Sequence, residues 1–241
     1  MELQKTQKVF TSYLPKPFSY LLIGFLICLR VNSYSQKITR EFKKNSVPLI
    51  LFENSNLQHK TIPSQYDTAI KIALLYFPEL EKTKIKFRIK KQASPLSARP
   101  SIFAIFRKAS KRKYLITISN SSSSKFSSIH LSNLSFNAQI GVIGHELSHI
   151  SDYNTRRGIY FLNLMCMQLS KNKMDQFEYN TDMRCIEHGL GYQLLSWSQE
   201  VRQKLNLSHW KGIKRLKEQG KERYMNPESI LLALNKNADY K

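Results

Sequence analysis

His145 and His149 stand four residues apart, with Glu146 directly after the first, in the run IGVIGHELSHISDY that spans residues 140–153. On a helix, side chains at i and i+4 project from one face about a turn apart. That spacing lets two imidazoles share one tetrahedral zinc ion. Glu146 lies ~100° further round, where its carboxylate reaches a metal-activated water rather than the ion. There it would act as general base, taking a proton from the water as it attacks a carbonyl and passing it to the leaving amine. Zinc in such a site needs a third protein ligand and an open fourth position. The stretch FEYNTDMRCIEHG supplies Glu178, with Asp182 one helical turn later on the same face. Asp182 would accept the second ring proton of a ligating histidine and so fix its tautomer; it is also an alternative third ligand. His188 is a weaker alternative, because on one continuous helix it falls ~120° away from Asp182.

These residues need helices to position them. Ile140, Ile143, Leu147 and Ile150 form one apolar stripe, centred opposite the histidines, so the histidines are not filler in a buried face. Gly141 and Gly144 each cost about 1 kcal/mol inside a helix, which implies that another segment approaches the backbone there. Ser135 is placed to cap this helix. Upstream, SQYDTAIKIALLYF (64–77) has helical spacing, a Ser64 cap and Pro78 as its stop. KIKFRIK, SIFAIF and KYLITIS read as strands, the last two joined as a hairpin by RKASKRK, and VPLILF (47–52) as a further short strand. NSSSSKFSS reads as a polar loop. Downstream, GIYFLNLMCMQLSK is an apolar helix too short to span a membrane. The segment 174–205 is a long helix with a break near Gly189 and Gly191, and Asn226 caps a last helix that has Pro227 at its first position. The expectation is an α+β chain: a small, twisted, mainly antiparallel sheet and the active-site helix, then a helical C-terminal half.

HELSH followed some thirty residues later by Glu-x-x-x-Asp resembles the gluzincin group of zinc metallopeptidases, over residues 139–152 and 178–191. The resemblance implies a zincin-like fold, with zinc on His145, His149 and Glu178, Glu146 as base and Asp182 behind the ligands. It also implies that an exposed edge strand holds an extended peptide by strand addition, and the serine-rich segment after 119 is the expected place. Such enzymes stabilise the transition state with a histidine, tyrosine or arginine; Tyr192, His188 and His209 are the candidates.

The chain has 241 residues, 41% apolar and 23% charged, enough for one sizeable core. Lys and Arg number 38 against 17 Asp and Glu, a net charge of +21. Such a balance suits anionic material, from lipid headgroups to an acidic cell-envelope polymer, but the spread of the basic groups through the chain favours a plain solvated surface. The basic groups form no single stripe interleaved with aromatics, which argues against specific nucleic-acid recognition. Residues 1–35 combine Lys5, Lys8 and Lys16, an apolar run over 19–29, and Ser33 and Ser35 before Gln36. They read as a secretory signal peptide, or alternatively as an uncleaved anchor, ahead of one domain over 36–241 with no span of its own. An exported location follows: periplasmic, envelope-bound or secreted. Cys166 and Cys185 then form an even pair in an oxidising compartment, and a disulfide and two isolated thiols fit equally well.

The expected activity is hydrolysis of peptide bonds with one catalytic zinc. The alternatives are a zinc hydrolase of another envelope amide and a non-catalytic envelope-binding protein with a structural zinc.

Overall fold

The computed structural model describes residues 37–46, 57–121, 124–167, 169–207 and 223–241. The expected signal segment 1–35, the run 47–52 and His209 lie outside them. The described residues build an α+β fold with a four-stranded sheet and six α-helices, all within one compact unit.

The strands are β1 (Lys60–Thr61), β2 (Lys84–Ile89), β3 (Leu96–Pro100) and β4 (Lys113–Ile118), in the order β1-β2-β4-β3. The sheet is mixed rather than mainly antiparallel. β1 and β2 run parallel, β2 and β4 run parallel, and only β3 and β4 are antiparallel. The cause is connectivity: helix α1 (Asp67–Leu75) carries the chain from β1 to β2, and such crossovers return a strand parallel to the first. β4 then inserts between β2 and β3.

The hairpin is real, but its first strand is Leu96–Pro100, in register Leu96↔Ile118 to Pro100↔Tyr114. SIFAIF is a 3-10 turn, Ile102–Phe106, whose Ile102, Phe103 and Phe106 stay exposed. Pro100 suits the end of an edge strand, where no ladder donor is required. The inward positions alternate as a half-buried sheet demands: Ile85 and Phe87 on β2, and Tyr114, Ile116 and Ile118 on β4, are all buried.

α2 (Phe136–Thr155) is the centre of the core and is packed by α1, β3, α4 (Lys171–Cys185) and α5 (Gly191–Lys204). The Ser135 hydroxyl caps it by accepting from the Ala138 amide. A Cβ at Gly141 would fall on the carbonyl of Gln193, and one at Gly144 would meet Leu190 and Cys185. The two glycines therefore let α5 and the end of α4 lie directly on the backbone of α2.

Between α4 and α5 the chain makes a wide turn, Ile186–Leu190, with Gly189 at φ 91°, a conformation that L side chains rarely adopt. The Tyr240 hydroxyl closes the break, donating to the Ile186 carbonyl and accepting from the Gly191 amide, each at 2.7 Å. The expected interruption of the long helix is thus present. α3 (Ile159–Met167) and α6 (Pro227–Lys236) complete the helices, and Asn226 caps α6 through the Ser229 amide. Ser64 lies in a 3-10 turn ahead of α1 and makes no side-chain cap at its start. Cys185 is buried, Cys166 is exposed, and the two are not joined. Among the described residues no helix is long and apolar enough to cross a membrane.

Candidate metal centre

α2 and α4 meet along their polar faces. Nε2 of His145 and Nε2 of His149 each lie 3.3 Å from the same oxygen, Oε2 of Glu178. All three donor atoms fall within 4.8 Å of one another and are buried.

The outer ring nitrogens determine which way each imidazole presents its lone pair. Nδ1 of His145 is 2.8 Å from Oδ1 of Asp182, so it carries the proton and donates. Nδ1 of His149 is 3.2 Å from the Thr181 hydroxyl, whose own hydrogen is given to the Phe177 carbonyl at 2.9 Å. That hydroxyl oxygen must therefore accept from His149. With both Nδ1 atoms protonated, both neutral imidazoles aim Nε2 lone pairs at Glu178.

Oε2 of Glu178 makes no hydrogen bond. Three acceptors converging on one buried point repel each other unless a cation sits among them. Donors on a tetrahedral ion with arms of roughly 2.0–2.1 Å are about 3.3–3.4 Å apart, which agrees with the two separations of 3.3 Å. His145, His149 and Glu178 can hold a metal ion, and the donor set fits one.

Without an ion, the same convergence draws a proton onto the site instead. Burial alone would lower His145, but the Asp182 and Glu178 carboxylates raise it well above the usual histidine range. Burial likewise opposes ionisation of Glu178, and the two imidazoles overcome it, holding the carboxyl far below its usual value. Glu146 is raised by burial, against the pull of His149 and His145 and a backbone contact from Ala98 on β3.

Asp182 has a second task. Its Oδ2 accepts from the Met225 amide at 2.7 Å, while the Ser198 hydroxyl donates to the Met225 carbonyl at 2.9 Å. Fixing Met225 at both ends brings Tyr224 over the site, its ring 5.7 Å from that of His145. Trp197 packs beside it, 5.5 Å from His145 and 5.9 Å from Tyr224. On the opposite side His149 stacks on Phe177, with centroids 5.0 Å apart.

A cavity of about 450 Å³ opens beside His145 and Glu146, with Leu96, Leu134, Val142 and Val201 among its walls and Tyr224 and Arg223 at its edge. Tyr224, Trp197 and β3 were not legible as site elements, since no spacing along the chain links them to His145. The other expected roles are redistributed. Tyr192 packs against Tyr240 and under Arg40. His188 gives both ring nitrogens to other partners, the Arg184 carbonyl at 2.8 Å and Glu79 at 3.0 Å, and stacks on Phe77. The described part of the serine-rich segment after 119 contains a 3-10 turn, Ser124–Ile129, rather than a strand, and the edge strand next to Glu146 is β3.

The chain matches no protein-family model, no curated protein and no solved structure. The functional reading therefore rests on the geometry.

Proposed function

We propose that the protein is a zinc-dependent peptide-bond hydrolase of gluzincin type. The observation that carries this reading is the convergence of His145 Nε2, His149 Nε2 and Glu178 Oε2 beside a further buried carboxylate, Glu146, that is not among the three donors. A zinc ion held there would polarise a carbonyl and make a water nucleophilic near neutral pH.

The chain's own groups supply the rest. Glu146, with its proton affinity raised by burial, takes the proton of the attacking water and returns it to the leaving amine. Asp182 keeps His145 in the ligating tautomer. β3, whose sheet neighbour among the described residues is β4 alone, presents its outer edge beside Glu146 for an extended peptide. Tyr224 is the candidate donor to the carbonyl oxygen as negative charge develops on it. The apolar cavity favours a peptide with a bulky apolar side chain next to the scissile bond over a polar envelope polymer. A three-donor face that opens on a cavity also suits catalysis better than a closed structural zinc site.

The test is metal content and peptide cleavage of the parent and of Glu146→Gln. Equal zinc in both, with cleavage in the parent alone, is expected. Zinc without cleavage in the parent removes the peptidase reading, and no zinc in either removes the site.

A further inference from the structure

A second surface stands apart from this site, at the far end of α2. The 3-10 turn Ile102–Phe106 and the start of α3 meet there, and half of the exposed large apolar side chains among the described residues belong to these two segments. Phe106 is 83% exposed, Ile159 68% and Leu162 53%, and the three line one open depression. α3 turns Phe161 and Leu164 toward the core, yet its outward positions Ile159, Leu162 and Met165, spaced by three, are also apolar. A solvated helix face would carry polar groups there.

The face is built, not frayed. The guanidinium of buried Arg112 donates to the carbonyls of Tyr153 (2.8 Å), Arg156 (2.7 Å) and Arg107 (3.0 Å), and lies over the Phe161 ring. It thereby ties the 102–112 connection to the end of α2 and to the beginning of α3.

The charge around the apolar centre is of one sign. Arg107, Lys108, Arg156 and Arg157 line the same depression. The sequence has no Asp or Glu between Glu81 and Glu146, nor between Asp152 and Asp175, so both segments lack acidic residues altogether. Asp152 itself is buried and neutralised by Arg156 and Arg184, each at 3.0 Å.

Apolar side chains ringed by cations match a bilayer interface, where the first enter the acyl boundary and the second meet anionic headgroups. We propose that this face seats the protein on an anionic lipid surface. The proposal is independent of the catalytic reading.

Hydrogen–deuterium exchange of the full chain tests it, because it locates the contact and separates it from any binding by residues 1–35. Vesicles of phosphatidylglycerol and phosphatidylcholine should slow exchange at least threefold in 102–113 and 156–167, and phosphatidylcholine alone should not. Phe106→Ser with Ile159→Ser and Leu162→Ser, and separately Arg107→Glu with Lys108→Glu, should each weaken this vesicle-dependent protection by roughly tenfold. Circular dichroism should show the parent fold in both. Absence of protection, equal protection by neutral vesicles, or full protection retained by both variants would overturn the proposal. So would protection by soluble polyglutamate with none from vesicles, which would assign the face to an acidic polymer or protein.

Discussion

The interior of this molecule and its outer face treat charge in opposite ways. Buried ionic side chains among the described residues are nearly all acidic: Glu146, Asp152, Asp175, Glu178 and Asp182 against the single cation Arg112. The face around Phe106 and Ile159 has cations and no acids. A chain with 17 acids and 38 bases has thus placed several of its acids where water cannot screen them. Carboxylates in a core need a cation or hydrogen-bond donors. Asp152 has Arg156 and Arg184, whereas Glu178 has two histidines whose available atoms are acceptors. The net charge of +21 is therefore partly a surface property, sharpened by the withdrawal of acids into the interior.

Removing the ion should break this contrast most strongly. At zinc a thousandfold above its dissociation constant, binding to the folded state alone contributes about 4 kcal/mol, or roughly 10 °C in Tm for a chain of this size. Chelation should lower Tm by about that much, and Glu178→Gln should abolish the response; calorimetry with and without zinc reads both. Gly141→Ala comes next. The added methyl has no space against the Gln193 carbonyl, so a loss of about 1–3 kcal/mol is expected in urea unfolding. Substitutions on the outer face, such as Leu162→Ser, should stay within about 0.5 kcal/mol.

Asp182→Asn follows, with zinc affinity falling about 10–100-fold in a chelator competition. Activity should fall further than metal loss explains, because the one oxygen that Asn retains cannot serve both His145 and Met225. A small, pH-dependent effect belongs to Glu79 and His188. Burial opposes His188 protonation, but Glu79 raises it above its usual value; Glu79 in turn is opposed by burial and lowered by His188 and Ser151. The histidine's contribution is complete below its usual pKa of 6.5 and is lost as pH rises through the raised value. The glutamate's is complete above its usual 4.5 and is lost as pH falls through the lowered value. The pair should stabilise most between those two limits. With Glu79 partly solvated, the gain stays under about 1 kcal/mol. Comparing urea midpoints at pH 5.5 and 8.5 for the parent and Glu79→Gln measures it.

What could be read from the sequence follows how local each signal was. His145, His149, Glu178 and Asp182 were legible because helical spacing fixes direction within an element, and only the meeting of two helices had to be inferred. The glycines at 141 and 144 announced a close approach without naming Gln193 or Leu190. The parallel pairing was not legible, since β1 is two residues long and β4 reaches its place by insertion. SIFAIF has strand composition, yet Ile102, Phe103 and Phe106 find no core, and the shorter LSARP takes the edge because Leu96 and Ala98 face inward. Tyr224 was invisible because its position depends on two hydrogen bonds to its neighbour Met225, made by residues of other helices.

Asp182 joins these themes through its two oxygens. One holds the ring that faces the candidate metal site; the other holds the backbone that carries Tyr224. The ion and anything that presses on Tyr224 are therefore linked ligands of a single carboxylate. By reciprocity, whatever factor the ion adds to substrate affinity through this group, the substrate must return to the ion. If that coupling is favourable, a peptide seated against Tyr224 would tighten zinc binding without ever touching the metal.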